Sequence, residues 1–187
     1  MAFHEALHLL RTCFAVPKVQ YLLRSTPAFA AVAVADLSVA IREALSAVTN
    51  IQLDDISWLQ ASLPVRWGGA GVSDVGTLSA SAFLSSHFST ALLVKDLLPA
   101  GLLAGPNRLA EAALASWSQA GGVNPPADGE AFSQRSWDDP ICSTSFDHLL
   151  QRADQTSIEP DFWLWRPQTQ APGSRCCHAE PGPLPKH

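Results

Sequence analysis

Residues 3–27 read FHEALHLLRTCFAVPKVQYLLRSTP. Phe3, Ala6, Leu7, Leu10 and Phe14 recur at steps of three and four, the spacing that lines one face of an α-helix, so this face predicts core. Pro17 suits the first turn of a second helix, where its missing N–H is no loss. Pro27 marks that helix's end, because a proline pushes the residue before it out of the helical region. The stretch predicts a short helical hairpin and points to an all-α chain.

The pattern continues downstream. Asp36 or Ser38 predicts the start of a third helix, with Leu37, Ile41, Ala44, Leu45 and Val48 aligned and an end near Asn50. Asp54 reads as the cap of a turn carrying Ile56, Trp58 and Leu59 that stops at Pro64. Gly68, Gly69 and Gly71 form a loop, and Ser73 or Asp74 opens a helix through Leu78, Ala82, Phe83 and Ser86. Thr90 to Leu98 resumes it after a break, and Pro99 ends it. A further helix from Pro106 to about Ser118 carries Leu109, Ala113 and Trp117 and ends at Gly121-Gly122. Residues 122–129 read as a polar Pro/Gly linker, and a pair of helices is expected over 130–137 and 141–152. From residue 154 to 187 the apolar period fails and proline accumulates, which predicts a disordered tail. The expected fold is an irregular bundle of short helices with that Pro-rich tail.

A chain of 187 residues allows one domain, or one domain plus a tail. Apolar residues make up 47% and charged residues 16%, a low surface charge that suits a segment packed against something else. The net charge of −5 argues against nucleic-acid binding by bulk electrostatics and leaves only a local basic patch for that role. Cys13, Cys142, Cys176 and Cys177 have no spacing typical of a disulfide framework, so reduced thiols are expected. No apolar run reaches the roughly 18 residues of a membrane span, and the N-terminus lacks the pattern of a signal peptide. A cytoplasmic or nuclear location follows.

Several short motifs stand in order along the chain. They are Ala6-Leu7-x-Leu9-Leu10-Arg11-x-Cys13; Pro17-Lys18-x-x-Tyr21-Leu22-Leu23-Arg24-x-x-Pro27; Leu53-Asp54-Asp55-x-x-Trp58-Leu59-Gln60-Ala61-Ser62-Leu63-Pro64-Val65; Gly68-Gly69-x-Gly71-Val72; and Ser81-Ala82-Phe83-Leu84. A weaker echo is Gln134-Arg135-x-Trp137-Asp138 with Phe146-x-x-Leu149-Leu150. Over about residues 4–150 the chain resembles the helical region that follows the polymerase palm in reverse transcriptases of non-LTR (LINE-type) retrotransposons. The resemblance implies a thumb-like segment over 1–50 and a region downstream of the polymerase core over 51–121. A linker at 122–129, the helical pair at 130–153 and a divergent tail at 154–187 complete the division. It implies a fragment of an RNA-directed DNA polymerase without its catalytic aspartates, because the palm lies before the point where this chain begins. A truncated or out-of-frame tail is a further expectation. The alternatives are a helical protein–protein interaction module and a non-functional retroelement relic.

Asp54-Asp55 is the tempting catalytic pair, since such polymerases hold two Mg2+ ions with an aromatic-x-Asp-Asp hairpin. Here the pair precedes an amphipathic helical turn, and capping is the expected role. Asp138-Asp139 ahead of Pro140 likewise reads as a turn. His4 and His8 share a helical face but lack a third ligand, and Cys176-Cys177-His178 is poorly arranged for a closed zinc site. No metal and no cofactor is expected. Arg11, Lys18 and Arg24 form the one basic concentration. By the resemblance, they lie near an RNA–DNA or DNA duplex and contact its phosphates without reading sequence. By the residues alone, they are also a solvated face opposite the leucines, and Arg24 also suits the last carbonyls of its helix. The missing polymerase core or another protein is the other expected partner.

Overall fold

The computed structural model describes residues 3–99, 107–127 and 130–156. Among them are seven α-helices and no strands: α1 (Phe3–Leu9), α2 (Val16–Ser25), α3 (Val32–Thr49), α4 (Asp55–Ser62), α5 (Val75–Leu97), α6 (Arg108–Gln119) and α7 (Gln134–Thr156). The all-α expectation is met. Of the expected disordered tail, residues 154–156 are instead the last residues of α7, and the remainder lies outside the described residues. No helix among the described residues is long and apolar enough to cross a membrane.

Helix α5 organises the rest. Its Val75 and Ala82 join Leu10, Ala15, Leu23, Ile41, Leu45 and Val72 in one core, built with α1, α2 and α3. Its Ala80 and Leu84 join Ala113, Trp117, Ala131, Trp137 and Ile141 in a second, built with α6 and α7. Helix neighbours on both sides favour small side chains between them, and Ser79, Ala80, Ser81, Ala82 and Ser85 are all buried, with Leu84 the one large buried side chain among them. Two of these serines return their hydroxyls to the helix, Ser79 Oγ to the Gly76 carbonyl at 2.8 Å and Ser85 Oγ to that of Ala82 at 3.1 Å. In the second core the Trp117 and Trp137 rings meet edge to face at 5.2 Å. Trp117 Nε1–H donates to the Trp137 carbonyl, and Trp137 Nε1–H to that of Ala131, each at 2.8 Å. Both buried indoles are therefore satisfied.

Local chemistry sets most of the boundaries. Asp54, Asp74 and Asn107 cap α4, α5 and α6 by accepting from the backbone N–H of Ser57, Thr77 and Ala110. Asn50 ends α3 in the left-handed region with φ 55°. The loop after α4 folds back: Ala70 and Gly71 N–H donate to the carbonyls of Ala61 and Leu63 at 3.1 and 3.0 Å, supplying partners at the helix end. Gly69 permits this, because a Cβ there would stand 1.9 Å from the Leu63 carbonyl oxygen.

Five expectations are corrected. Phe14 is 61% exposed rather than core. Residues Leu10–Phe14 form a π turn closed by Ala15 N–H to the Leu10 carbonyl at 3.0 Å. The extra residue in that turn rotates Phe14 off the buried face and puts Ala15 inside instead. Helix α3 starts at Val32, earlier than Asp36, without a side-chain cap, and a 3-10 turn over Ala28–Ala30 leads into it. Helix α5 runs unbroken to Leu97. In α6 it is Ala110 that joins Ala113 and Trp117 inside, while Leu109 is exposed. Finally, the expected helix pair is the single helix α7 with Pro140 in its interior, so Asp138-Asp139 lies within a helix and not in a turn. An interior proline costs about 3 kcal/mol. Burial of Trp137, Ile141 and Cys142 on both sides of it offsets that cost.

Gly122 packs under the Trp117 ring, where an added Cβ would stand 2.3 Å from Cδ2 and Cε2. Gly122→Ala is expected to destabilise the fold by about 1–3 kcal/mol through overpacking. A urea denaturation midpoint unchanged from the wild type would refute this account of the tryptophan core.

Candidate nucleic-acid interface

Helix α2 is amphipathic, and its faces are well separated. Leu23 is buried and Val16 and Val19 pack against the first core. Gln20 Nε2–H donates to Gln134 Oε1 at 2.7 Å, tying the helix to the start of α7. The outward face holds Lys18, Tyr21, Leu22, Arg24 and Ser25, all exposed. Lys18 and Arg24 stand six residues apart with Tyr21 midway, so the three share one ridge at three-residue steps. No acidic residue lies within α2. Ser25 and Thr26 hydroxyls donate back to the Tyr21 and Leu22 carbonyls at 2.8 and 2.7 Å, leaving the two cationic heads and the Tyr21 phenol as the outward donors.

The third predicted residue is separate. Arg11 belongs to the π turn, ahead of the break at Ala15, and its Cδ and Nη1 lie 3.0 and 3.4 Å from where a Cβ on Gly71 would stand. It is exposed and lies over the glycine loop, off the ridge. Ion pairs join Arg42 to Asp55 at 2.8 Å, Arg66 to Asp139, and Arg135 to Asp139 at 3.5 Å. None engages Arg11, Lys18 or Arg24.

The carboxylates of the tempting motif are employed elsewhere. Asp54 Oδ1 accepts from Ser57 N–H at 2.8 Å, and the Ser57 hydrogen bonds hold this carboxyl below the usual range. Asp55 pairs with Arg42, whose guanidinium also reaches the Leu53 carbonyl. His4 and His8 are exposed, and among the described residues no group of three His, Cys, Asp or Glu is placed to hold a metal ion. Of the cysteines, Cys13 is exposed and Cys142 is buried, both as free thiols. Burial, reinforced by Asp138, pushes the Cys142 thiol up to about 11, so it is a packing residue rather than a nucleophile.

Asp138 is the titratable group that sequence reasoning misplaced. On α7 it lines a pocket of about 220 Å3 with Asp74, Thr77, Arg66 and Cys142. Burial pushes its carboxyl up to about 7; Ser81, Gln134 and Arg66 pull the other way, while neighbouring Asp139 adds to the rise. Asp138 Oδ1 and Ser81 Oγ are both buried with no hydrogen bond of ordinary geometry. No signal in the one-dimensional pattern marked it, because only the packing of α7 on α5 buries it.

No protein-family model, curated protein or solved structure matches the chain.

The Asp138 environment gives a signed prediction. Unfolded, this carboxyl ionises near 3.8, and folded it keeps its proton to about 7. Its contribution is therefore fully present below about pH 4 and is lost as pH rises through about 7. Asp138→Asn should raise stability near pH 7.5 by roughly 2–4 kcal/mol and leave it little changed near pH 4. Denaturant unfolding at the two pH values checks this, and an equal effect at both would contradict it. For Asp54, replacement by Ala should lower the thermal midpoint while Asn, another capping side chain, retains it. Equal midpoints for the two variants would count against the capping role.

Proposed function

We propose that this chain is the helical, non-catalytic part of a LINE-type reverse-transcriptase-like protein that follows the polymerase palm. Its role there is to lay α2 against the sugar–phosphate backbone of an RNA–DNA or DNA duplex. The observation that carries the reading is the outward face of α2, with Lys18 and Arg24 exposed, without ion-pair partners among the described residues, on a helix with no acid. Cations held in this way contact phosphates and fix position without reading bases. Arg11, over the glycine loop and off that face, adds a separate contact.

The other motifs of the resemblance sit where a structural role requires them. Asp54 caps α4, Gly69 admits the loop to the end of that helix, and Ser81, Ala82 and Leu84 fill the centre of α5. These support a scaffold that positions α2. Asp54 and Asp55 are engaged in capping and ion pairing, which favours a non-catalytic role for them.

A second reading rests on the far half of α5. Leu93, Val94, Leu97 and Leu98 are exposed there, with Leu97 at 72%. Such a patch suits a protein partner, the polymerase core or another chain. Concentration-dependent association in sedimentation that is lost in Leu93→Glu/Leu97→Glu would favour it.

For the nucleic-acid role, the full chain should bind an RNA–DNA hybrid at low salt. Three phosphate contacts, from Lys18, Arg24 and the separate Arg11, give a slope of about −2.7 for log K against log salt. Lys18→Ala with Arg24→Ala should cut that slope to about −0.9, and Arg11→Ala alone to about −1.8. Absence of binding at low ionic strength, or binding indifferent to all three residues, would remove the proposal.

A further inference from the structure

Tyr21 stands midway between the two cations and is 80% exposed. No aromatic ring among the described residues packs on it, and its helix is fixed from behind by Leu23, Val16, Val19 and the Gln20–Gln134 hydrogen bond. A three-residue step advances a helix by about 4.5 Å, so Lys18 and Arg24 stand about 9 Å apart along the axis with the phenol between them. A duplex offers such a helix phosphates but keeps its base faces stacked inside. An unpaired strand offers both phosphates and a free base face. A flat aromatic flanked by cations fits the second ligand, since base–aromatic stacking and phosphate neutralisation then act on the same nucleotides.

Resting on the reading of α2 as the nucleic-acid face, we infer that the Lys18–Tyr21–Arg24 ridge is a binding site for single-stranded nucleic acid, with one base stacked on Tyr21 and the adjoining phosphates held by Lys18 and Arg24. Recognition is indifferent to sequence, because every base has a face to stack and neither cation reaches base edges in a fixed frame. Charge complementarity commits the face to this partner over an apolar one: the helix carries cations and no acid.

The test uses the full chain with a labelled oligonucleotide of about 12 nucleotides, single-stranded, and the blunt RNA–DNA hybrid of the same length. The single strand is expected to bind with a log K against log salt slope of about −1.4, from two phosphates. Tyr21→Ala should weaken it about five- to one-hundred-fold, while Tyr21→Phe, which keeps the ring, stays within about twofold. Hybrid binding should not change in either variant. Far-ultraviolet circular dichroism should show both variants folded, as the side chain is exposed. Hybrid binding without single-strand binding, or a Tyr21→Ala effect equal on both ligands, overturns the inference and leaves the duplex reading standing. An equal loss in Tyr21→Phe also overturns it, since that would assign the contact to the hydroxyl. Binding of neither ligand defeats both readings. Loss of self-association in Tyr21→Ala without any change in oligonucleotide binding assigns the face to a protein partner and overturns it too.

Discussion

The middle of α5 must lie between two layers of helices at once. Through Ser79 to Ser85 it touches α2 and α3 on one side and α6 and α7 on the other, so its side chains are limited to what two close helix contacts admit. Alanine and serine meet that limit, at the cost of hydroxyl groups that have no water to bond. Ser79 and Ser85 solve this by donating to their own helix. Ser81 does not, and its buried oxygen lies at the same interface as the buried carboxyl of Asp138. Two buried polar groups at the α5–α7 contact are thus the other side of the close packing that joins the two cores.

That arrangement also positions α2. A ten-residue helix is marginal alone in water. Here its inward residues are clamped by α5 and the glutamine pair to α7, and its outward residues are held in a fixed order without contributing to the fold. A ligand meeting this face would have only the long Lys18 and Arg24 side chains left to order, not the helix backbone.

Legibility followed the range of the forces involved. Pro17, Asn50, Asp54, Asp74 and Pro99 were readable because capping and proline geometry act over three or four residues. Phe14 was not, since a single inserted residue in a π turn shifts the helical phase and no residue type announces it. Pro140 reads as a break in any local scheme, and only the burial of Trp137 and Ile141 around it keeps α7 whole. The same distant contact buries Asp138. At the candidate site, Lys18 and Arg24 were visible as cations, but the separation of Arg11 from them, and the exposure of Tyr21 between them, depend on the break at Ala15 and on which face α5 takes.

The central claim is that the outward face of α2 is where nucleic acid meets this chain. Photocrosslinking to an RNA–DNA hybrid with a single-stranded extension, with adducts located by mass spectrometry, tests it most directly. The account predicts adducts on the peptide spanning residues 18–24, with Tyr21 the principal site. Adducts confined to the far half of α5, or none at low salt, would contradict it.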